Sequence, residues 1–258
     1  IFDTDENLLL SSGTASGKTE AAFLPVLTQL WENPSASVGV LYLSPLKALI
    51  NDQFERLEGL LEEAAIPVTK WHGDASAAAK KRVMKRPQGV IQTTPESLES
   101  MLMHNSSGAY RLFSDLRFII IDEMHYFMDN DRGLQLLCLL ERLARLIGYH
   151  PRRIGLSATL GDCTSAVQWL NTDSGRNCIV PKCHEKGRSL RLSVRFFPIK
   201  EKIPNSDSKV LLQNYYDYLF ESTWNKRCIL FSNSKGEVEE NIAHLRRIAA
   251  ERRLPDNY

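Results

Sequence analysis

The chain has 258 residues, in which 32 lysines and arginines oppose 31 aspartates and glutamates, giving a formal net charge of +1. A composition of 43% hydrophobic and 24% charged residues is that of a folded globular protein, and it excludes a disordered or collagen-like chain. Near-neutral charge excludes nucleic-acid binding by bulk charge alone, so such binding must rest on local features. We find no apolar run long enough to span a membrane and no signal-peptide pattern at the start.

Five cysteines are scattered along the sequence. Their odd number and irregular spacing predict reduced thiols in a cytoplasmic protein. Cys178, Cys183 and His184 are close in sequence, but their spacing is not that of a zinc site and no second pair follows.

Short apolar runs alternate with helical patterns over the first two-thirds of the chain. The predicted strands are Leu8–Leu10, Val38–Leu43, Val90–Gln92, Phe118–Ile121 and Ile154–Leu156. Helical periodicity marks Ala21–Leu30, Ala48–Ala65 and Gly133–Ile147. This alternation predicts an α/β fold, with a parallel sheet covered by helices on both faces.

Small hydroxyl or acidic residues follow all five predicted strands. They are Ser11–Gly13, Ser44-Pro45, Thr94-Pro95, Asp122-Glu123 and Ser157–Thr159. In an open α/β sheet, ligands bind at the carboxyl ends of the strands. Helix capping also favours Ser, Thr and Asp at such places, but it does not explain the acidic pair.

The segment Ser12-Gly13-Thr14-Ala15-Ser16-Gly17-Lys18-Thr19 lies between the first predicted strand and the first predicted helix. In that position, backbone N–H groups of a glycine-rich loop and of the helix start face phosphate groups. Lys18 supplies a positive charge, and Thr19 supplies a hydroxyl ligand for Mg²⁺. We predict that these eight residues bind ATP, although Ser12 stands where the general pattern has glycine.

Asp122 and Glu123 follow the apolar run Phe118–Ile121. Two adjacent carboxylates at the end of a buried strand need a cation, which a nucleotide-bound Mg²⁺ supplies. We predict that Asp122 holds the metal and that Glu123 orients and polarises the attacking water. For His125, a functional contact and an ordinary structural hydrogen bond remain open.

Three of these motifs resemble core motifs of superfamily-two helicases of the DExH/DEAD-box kind, namely Gly17-Lys18-Thr19, Asp122-Glu123-Met124-His125 and Ser157-Ala158-Thr159. The surrounding segments Leu43–Gln53, Trp71–Asp74, Thr94–Leu98 and Arg153–Gly161 are similar to the Lhr-like (large helicase-related) group. The resemblance implies a RecA-like P-loop NTPase fold, with ATP and Mg²⁺ as cofactors. It also implies that ATP hydrolysis is coupled to the nucleic-acid site through His125, Ser157, Ala158 and Thr159.

The same resemblance implies nucleic-acid contacts from two helix starts. Ser44 and Thr94 are predicted to cap helices that begin at Pro45 and Pro95, so that free N–H groups face backbone phosphates. Lys47 adds an ionic contact, and Gly73 is expected to flank the same track. For Trp71, packing and base stacking are both open, and the basic run at 80–86 is interpreted as a solvated helix face rather than a DNA patch.

A second segment begins late in the chain. Residues 188–208 are predicted to be a linker with one strand, Leu190–Phe197, between a first RecA-like domain at 1–187 and the start of a second at 209–258. The predicted elements of that start are helix Lys209–Glu221, strand Cys228–Phe231 and helix Glu237–Arg253. Cys228–Ser234 resembles motif IV, but nothing after it resembles motifs V and VI, the second of which carries the family's arginine finger. We therefore expect this chain to bind ATP but to hydrolyse it weakly alone.

These observations predict the core of an ATP-dependent helicase or translocase that acts on nucleic acid, with single-stranded or duplex DNA favoured over RNA. Three alternatives remain: an RNA-directed DExH helicase, a DNA translocase without unwinding in a defence or restriction system, and a nucleotide-gated scaffold without motor activity. Intact Glu123 argues against the scaffold, because a pure switch does not need a water-activating carboxylate.

Overall fold

The computed structural model describes residues 3–13, 17–51, 59, 61, 64–158, 160, 163–181, 192–197 and 208–255, with side chains from residue 214 onward in the last range. Thr14, Ala15, Ser16, Thr159, Cys183 and His184 lie outside the described residues. The chain divides into two compact units, Ile1–Gly187 and Arg188–Tyr258.

The first unit contains a seven-stranded sheet whose order is β3-β4-β2-β5-β6-β1-β7, and every neighbouring pair is parallel. The strands are β1 Asn7–Ser11, β2 Val38–Leu43, β3 Val68–Trp71, β4 Gly89–Thr93, β5 Phe118–Ile121, β6 Arg152–Ser157 and β7 Cys178–Ile179. All carboxyl ends therefore meet at one edge of the sheet, where ligands bind in open α/β folds.

Helices cover both faces of this sheet. Those of the first unit are α1 Lys18–Glu32, α2 Ala77–Lys85, α3 Pro95–His104, α4 Ser106–Phe113, α5 Asp131–Ile147 and α6 Thr164–Asn171. Residues 47–51, 59 and 61 are also helical. The predicted parallel α/β sheet with helices on both faces is thus confirmed.

Two apolar cores follow from the alternation of side chains along the strands. In β2, Leu41 and Leu43 pack into the core that contains α3, α4, α5 and α6, whereas Val40 and Tyr42 pack into the core that contains α1. The same alternation in β5 sends Ile119 to the first core. Among the helices formed by the described residues, none is both long enough and apolar enough to cross a membrane.

The second unit contains helices α7 Ser208–Thr223 and α8 Lys235–Glu251, which pack through buried residues such as Phe220 and Leu245. Residues 192–197 and 227–232 form no strand. The predicted strand Cys228–Phe231 is therefore wrong, as is the described part of Leu190–Phe197. Within the described residues of this unit neither segment has a neighbour to pair with, and strands are stable only when their backbone groups are paired.

Candidate nucleotide and nucleic-acid sites

The predicted phosphate loop lies between β1 and α1. Gly17 caps α1 with a φ of +83°, a left-handed conformation that glycine adopts without steric penalty. The Lys18 Nζ atom donates to the carbonyl oxygens of Ser12 and Gly13, at 2.6 and 2.8 Å. Thr19 is buried in the first turn of α1. The described part of the loop thus combines a cation and a hydroxyl with a helix N-terminus, as phosphate binding requires.

Asp122 lies directly after β5 and is buried. Its Oδ1 atom accepts from the Glu123 N–H at 2.9 Å, its Oδ2 atom accepts from the Tyr42 hydroxyl, and its own N–H donates to the Leu43 carbonyl at 2.8 Å. Burial raises the pKa of Asp122 above its ordinary value, while the Tyr42 hydrogen bond and the positive charge of Lys18 act in the opposite direction. A carboxylate desolvated in this way is stabilised by a nearby cation.

The donor set at this site fits Mg²⁺. Asp122 and Thr19 provide the hard oxygen ligands that Mg²⁺ prefers. In the part of the chain that the structure describes, no three His, Cys, Asp or Glu side chains cluster to form a protein-only metal cage. Mg²⁺ in nucleotide sites is typically held by one or two protein groups together with phosphates and waters, so a single buried carboxylate suffices.

Glu123 has a left-handed backbone conformation, with φ of +46° and ψ of +47°. For a residue other than glycine this is a strained conformation of the kind found at functional sites. The Nδ1 atom of His125 lies 3.4 Å from Glu123 Oε2 and 3.3 Å from the Oγ atom of Ser157, which is fully buried. His125 therefore contacts both the acidic pair and the end of β6.

The end of β6 also contacts the start of the phosphate loop. The Ser12 N–H donates to the Ser157 carbonyl at 3.4 Å. The Ser11 hydroxyl donates to the Ala158 carbonyl at 3.2 Å and accepts from the Leu160 N–H at 3.2 Å. Of the predicted coupling residues, the three that the structure describes thus form one contact chain between the acidic pair and the phosphate loop.

A second site lies at the same edge of the sheet, where the chain leaves β2, β3 and β4. It is a groove of about 550 Å³ lined by Pro45, Leu46, Lys47, Trp71, His72, Gly73, Lys80, Thr94, Glu96, Ser97, Ser100 and Arg132. Four of the six predicted nucleic-acid contacts, Pro45, Lys47, Gly73 and Thr94, come together here. The other two, Ser44 and Pro95, are buried and do not line the groove.

Thr94 caps its helix as predicted. Its hydroxyl accepts from the Ser97 N–H at 3.4 Å, and Pro95 lies in the first turn of α3. The N-terminus of α3 therefore opens onto the groove, with Ser97 also in its lining.

Ser44 is not a helix cap, so this part of the prediction is wrong. Helical residues begin only at 47, and the Ser44 hydroxyl donates to the Leu46 carbonyl at 3.4 Å. The reason is that Ser44 continues the ladder of β2: its N–H donates to the Thr93 carbonyl at 3.0 Å. Pro45 follows in a bend and precedes the first helical turn.

Two lysines reach the groove from different elements. Lys47 Nζ pairs with Asp74 Oδ2 at 2.9 Å, and this contact holds the pKa of Asp74 below its ordinary value. Lys80 Nζ donates to the His72 carbonyl at 2.6 Å and lies 5.8 Å from the centroid of the Trp71 ring. The rest of the basic run at 81–86 is exposed at its four charged positions, as expected for a solvated helix face. Lys80 alone among them lines the groove.

Arg132 and Tyr42 are among the residues of these sites that the sequence did not predict. Arg132 donates to the Pro45 carbonyl and to Glu96 Oε1, both at 2.6 Å, and so joins the start of α5 to the groove. Nothing in the local sequence marks this contact, because it depends on how α5 packs against α3. Tyr42, the residue that contacts Asp122, did leave a signal: it is the one side chain with a hydroxyl in the apolar run Val38–Leu43.

Comparison with known proteins identifies the family that this chain resembles. Residues 1–166 match the family described as DEAD/DEAH box helicase. The chain is 32% identical to an ATP-dependent helicase Lhr-Core of Methanocaldococcus jannaschii, over 96% of this chain and 30% of that protein. It is 30% identical to an ATP-dependent DNA helicase Hel308 of Methanococcus vannielii, over 95% of this chain and 32% of that protein.

A solved structure shows the same fold. The structure of Mycobacterium smegmatis helicase Lhr bound to ssDNA and AMP-PNP has a TM-score of 0.73 and 29% identity, over 96% of this chain and 32% of that chain. The predicted RecA-like helicase fold and the similarity to Lhr-like proteins are thereby confirmed. The chain spans about 30% of the length of the curated relatives it matches.

Proposed function

Because the chain belongs to the DEAD/DEAH box helicase family, we propose that it contains the nucleotide-binding part of an ATP-dependent motor that acts on nucleic acid. The observation that carries this proposal is that β2 serves both sites. Tyr42 within the strand contacts Asp122, and Pro45, three residues further on, lines the groove. A single short strand thus connects the nucleotide site to the groove, and we propose that it couples them.

At the nucleotide site, we assign phosphate binding to the loop at 12–19, with Lys18 as its cation. Thr19 and Asp122 would hold Mg²⁺, which when bound would offset the negative charge of the phosphates. Glu123 orients and polarises the attacking water. The contact of His125 with Glu123 and Ser157 couples this chemistry to the end of β6, and Thr159, outside the described residues, is assigned to the same role.

At the groove, we assign the binding of a single strand through its backbone. The positive end of the α3 dipole faces the groove, while Lys47, Lys80 and Arg132 supply positive charge. Such contacts do not read bases, which suits a motor that moves along any sequence. DNA is favoured over RNA because one relative is named a DNA helicase and another was solved with ssDNA.

A further proposal concerns the division of the chain into domains. We assign residues 1–187 to a first RecA-like domain, 188–208 to a linker and 209–258 to the start of a second such domain.

The test of the proposed function is a pair of variants that separates its two sites. Lys18→Ala should abolish binding of a fluorescent ATP analogue and leave binding of single-stranded DNA intact, because Lys18 does not line the groove and its hydrogen bonds to described residues lie within the phosphate loop. Lys47→Ala should weaken DNA binding several-fold and leave nucleotide binding unchanged.

Unchanged nucleotide affinity in Lys18→Ala would refute the site assignment. Competition between single-stranded DNA and RNA of the same sequence would decide the substrate, since tighter RNA binding favours the RNA-directed alternative. A strand-displacement assay on the full-length protein would distinguish a helicase from a translocase that does not unwind.

A further inference from the structure

Tyr42 is fully buried and lies in β2, an interior strand of the sheet. Its ring packs against Phe23 of α1, with centroids 5.5 Å apart, and its hydroxyl donates to Asp122 Oδ2. A buried tyrosine hydroxyl must find a hydrogen-bond partner, and here that partner is the carboxylate assigned to the metal.

The hydrogen bonds around Asp122 divide into two kinds. Its backbone is fixed by the bond to Leu43, and its Oδ1 atom accepts from the next residue in the chain, Glu123. Among the described residues, Tyr42 is the side chain from another strand that donates a hydrogen bond to the carboxylate group itself. Because its ring is packed against Phe23, its hydroxyl is held in place and fixes the rotation of the carboxylate plane.

The hydrogen bond from Tyr42 still allows the Asp122 carboxylate to bind a cation. An ionised carboxylate has about four lone-pair sites. Among the described residues, Tyr42 and Glu123 occupy one on each oxygen, which leaves a lone pair on both oxygens for a cation. Groups that orient a ligating side chain in this manner commonly change metal affinity by about 10–100-fold when they are removed.

We propose that Tyr42 is a positioning residue that fixes the Asp122 carboxylate in the orientation in which it holds the Mg²⁺ of the bound nucleotide. This inference rests on the proposed nucleotide site. Through the Tyr42 hydroxyl, β2, the strand that leads into the groove, then also contributes to metal binding.

The experiment compares wild type with Tyr42→Phe, which removes the hydroxyl and keeps the ring. Binding of a fluorescent ATP analogue is titrated in Mg²⁺ and, separately, in EDTA. We expect the Mg²⁺ concentration needed for half-maximal enhancement of binding to rise about tenfold. Affinity in EDTA should stay within twofold of wild type, and excess Mg²⁺ should restore wild-type binding.

Two controls separate positioning from general damage. Tyr149→Phe removes a hydroxyl that donates to the Leu116 carbonyl at 3.0 Å, away from the nucleotide site, and should leave Mg²⁺ dependence unchanged. In an Asp122→Asn background, Tyr42→Phe should add no further loss, because its effect acts through that carboxylate.

Each outcome decides the question. Wild-type Mg²⁺ dependence in Tyr42→Phe would overturn the inference, and so would an equal loss of affinity in EDTA, which indicates a packing role. If wild type itself bound nucleotide without any effect of Mg²⁺, the proposed nucleotide site would fail, and this result is distinct from the failure of Tyr42 alone.

Discussion

At the scale of the residue, His72 is the most unusual side chain of the groove. It is 5% exposed, and among the described residues neither ring nitrogen has a hydrogen-bond partner. Burial lowers the pKa of His72 below its ordinary value of 6.5, and the charges of Lys47, Lys80 and Lys70 add to this effect against that of Asp74. The fold therefore disfavours protonation of the ring.

This pKa predicts a stability that depends on pH. As the pH falls below about 6.5, the unfolded chain binds a proton at His72 before the folded chain does, so the free energy of unfolding decreases. His72→Phe should reduce the difference in stability between pH 7.5 and pH 5.5, measured by urea unfolding. His104→Gln, at an exposed histidine that does not line the groove, is the control and should keep the wild-type difference. An unaltered difference in His72→Phe would contradict the prediction.

The sequence predicts a functional residue best when neighbouring residues in the chain form a recognisable motif with it. Lys18, Asp122 and Glu123 lie in short motifs at strand ends, so their roles could be predicted from neighbouring residues alone. Arg132 enters the groove only because α5 packs beside α3, and no residue near it in sequence reports that packing. Ser44 was misassigned because one more ladder bond, to Thr93, keeps it in the sheet.

At the scale of the element, the helix cap of α3 has two roles. Thr94 satisfies an N–H of the first turn and also lines the groove. Ser76 caps α2 through the same kind of bond, to the Ala79 N–H, and does not line the groove. The two caps thus make the same kind of hydrogen bond, but only Thr94 lines the groove.

We predict that Thr94→Ala and Ser76→Ala each decrease the free energy of unfolding by about 1 kcal/mol, the usual loss for a hydroxyl cap. Only Thr94→Ala should also weaken binding of single-stranded DNA, by several-fold. Urea unfolding and fluorescence anisotropy measure the two effects. An equal loss of DNA affinity in both variants would show that stability, and not the position of Thr94, is responsible.

The hydrophobic pattern of the sequence predicted some strands of the sheet more accurately than others. Val38–Leu43 and Phe118–Ile121 have the predicted bounds, because a central strand buried on both faces is a continuous apolar run. β3, Val68–Trp71, was missed because it is a short, half-buried edge strand in which two adjacent polar residues, Thr69 and Lys70, interrupt the apolar pattern. β7 has only two residues, which is too short for any periodicity.

At the scale of the whole molecule, the net charge of +1 limits how nucleic acid is bound. Three cations line the groove, Lys47, Lys80 and Arg132, and two of them pair with acidic neighbours. We expect the logarithm of the DNA binding constant to fall with the logarithm of salt concentration with a slope of about −2, from three phosphate contacts on a single strand.

Anisotropy titrations at several salt concentrations measure this slope. Lys47→Ala should make it shallower by about 0.7, which corresponds to one phosphate contact. The double variant Lys81→Ala/Arg82→Ala removes two exposed charges that do not line the groove and should leave the slope unchanged. A steeper dependence that decreases in the double variant would instead indicate binding along the exposed face of α2.

The second unit shows where sequence patterns stop being informative. Cys228–Phe231 has the apolar pattern of a buried strand, yet Ile229 is 80% and Phe231 is 87% exposed. A pattern reports what a segment can form, whereas a strand also needs a neighbour at the right distance. The helices α7 and α8 were predicted within two residues at each end because their hydrogen bonds are internal.

The two edges of the seven-stranded sheet influence whether this chain can pair with the strands of another molecule. An exposed strand edge is a template for pairing with another molecule, and long flat edges lead to aggregation. Here one edge is β7, with two residues, and the other is β3, with four residues that include Lys70. Short strands and an edge lysine both discourage such pairing. Both edges of the sheet in the first unit therefore disfavour pairing with another molecule, although its central strands are almost entirely apolar.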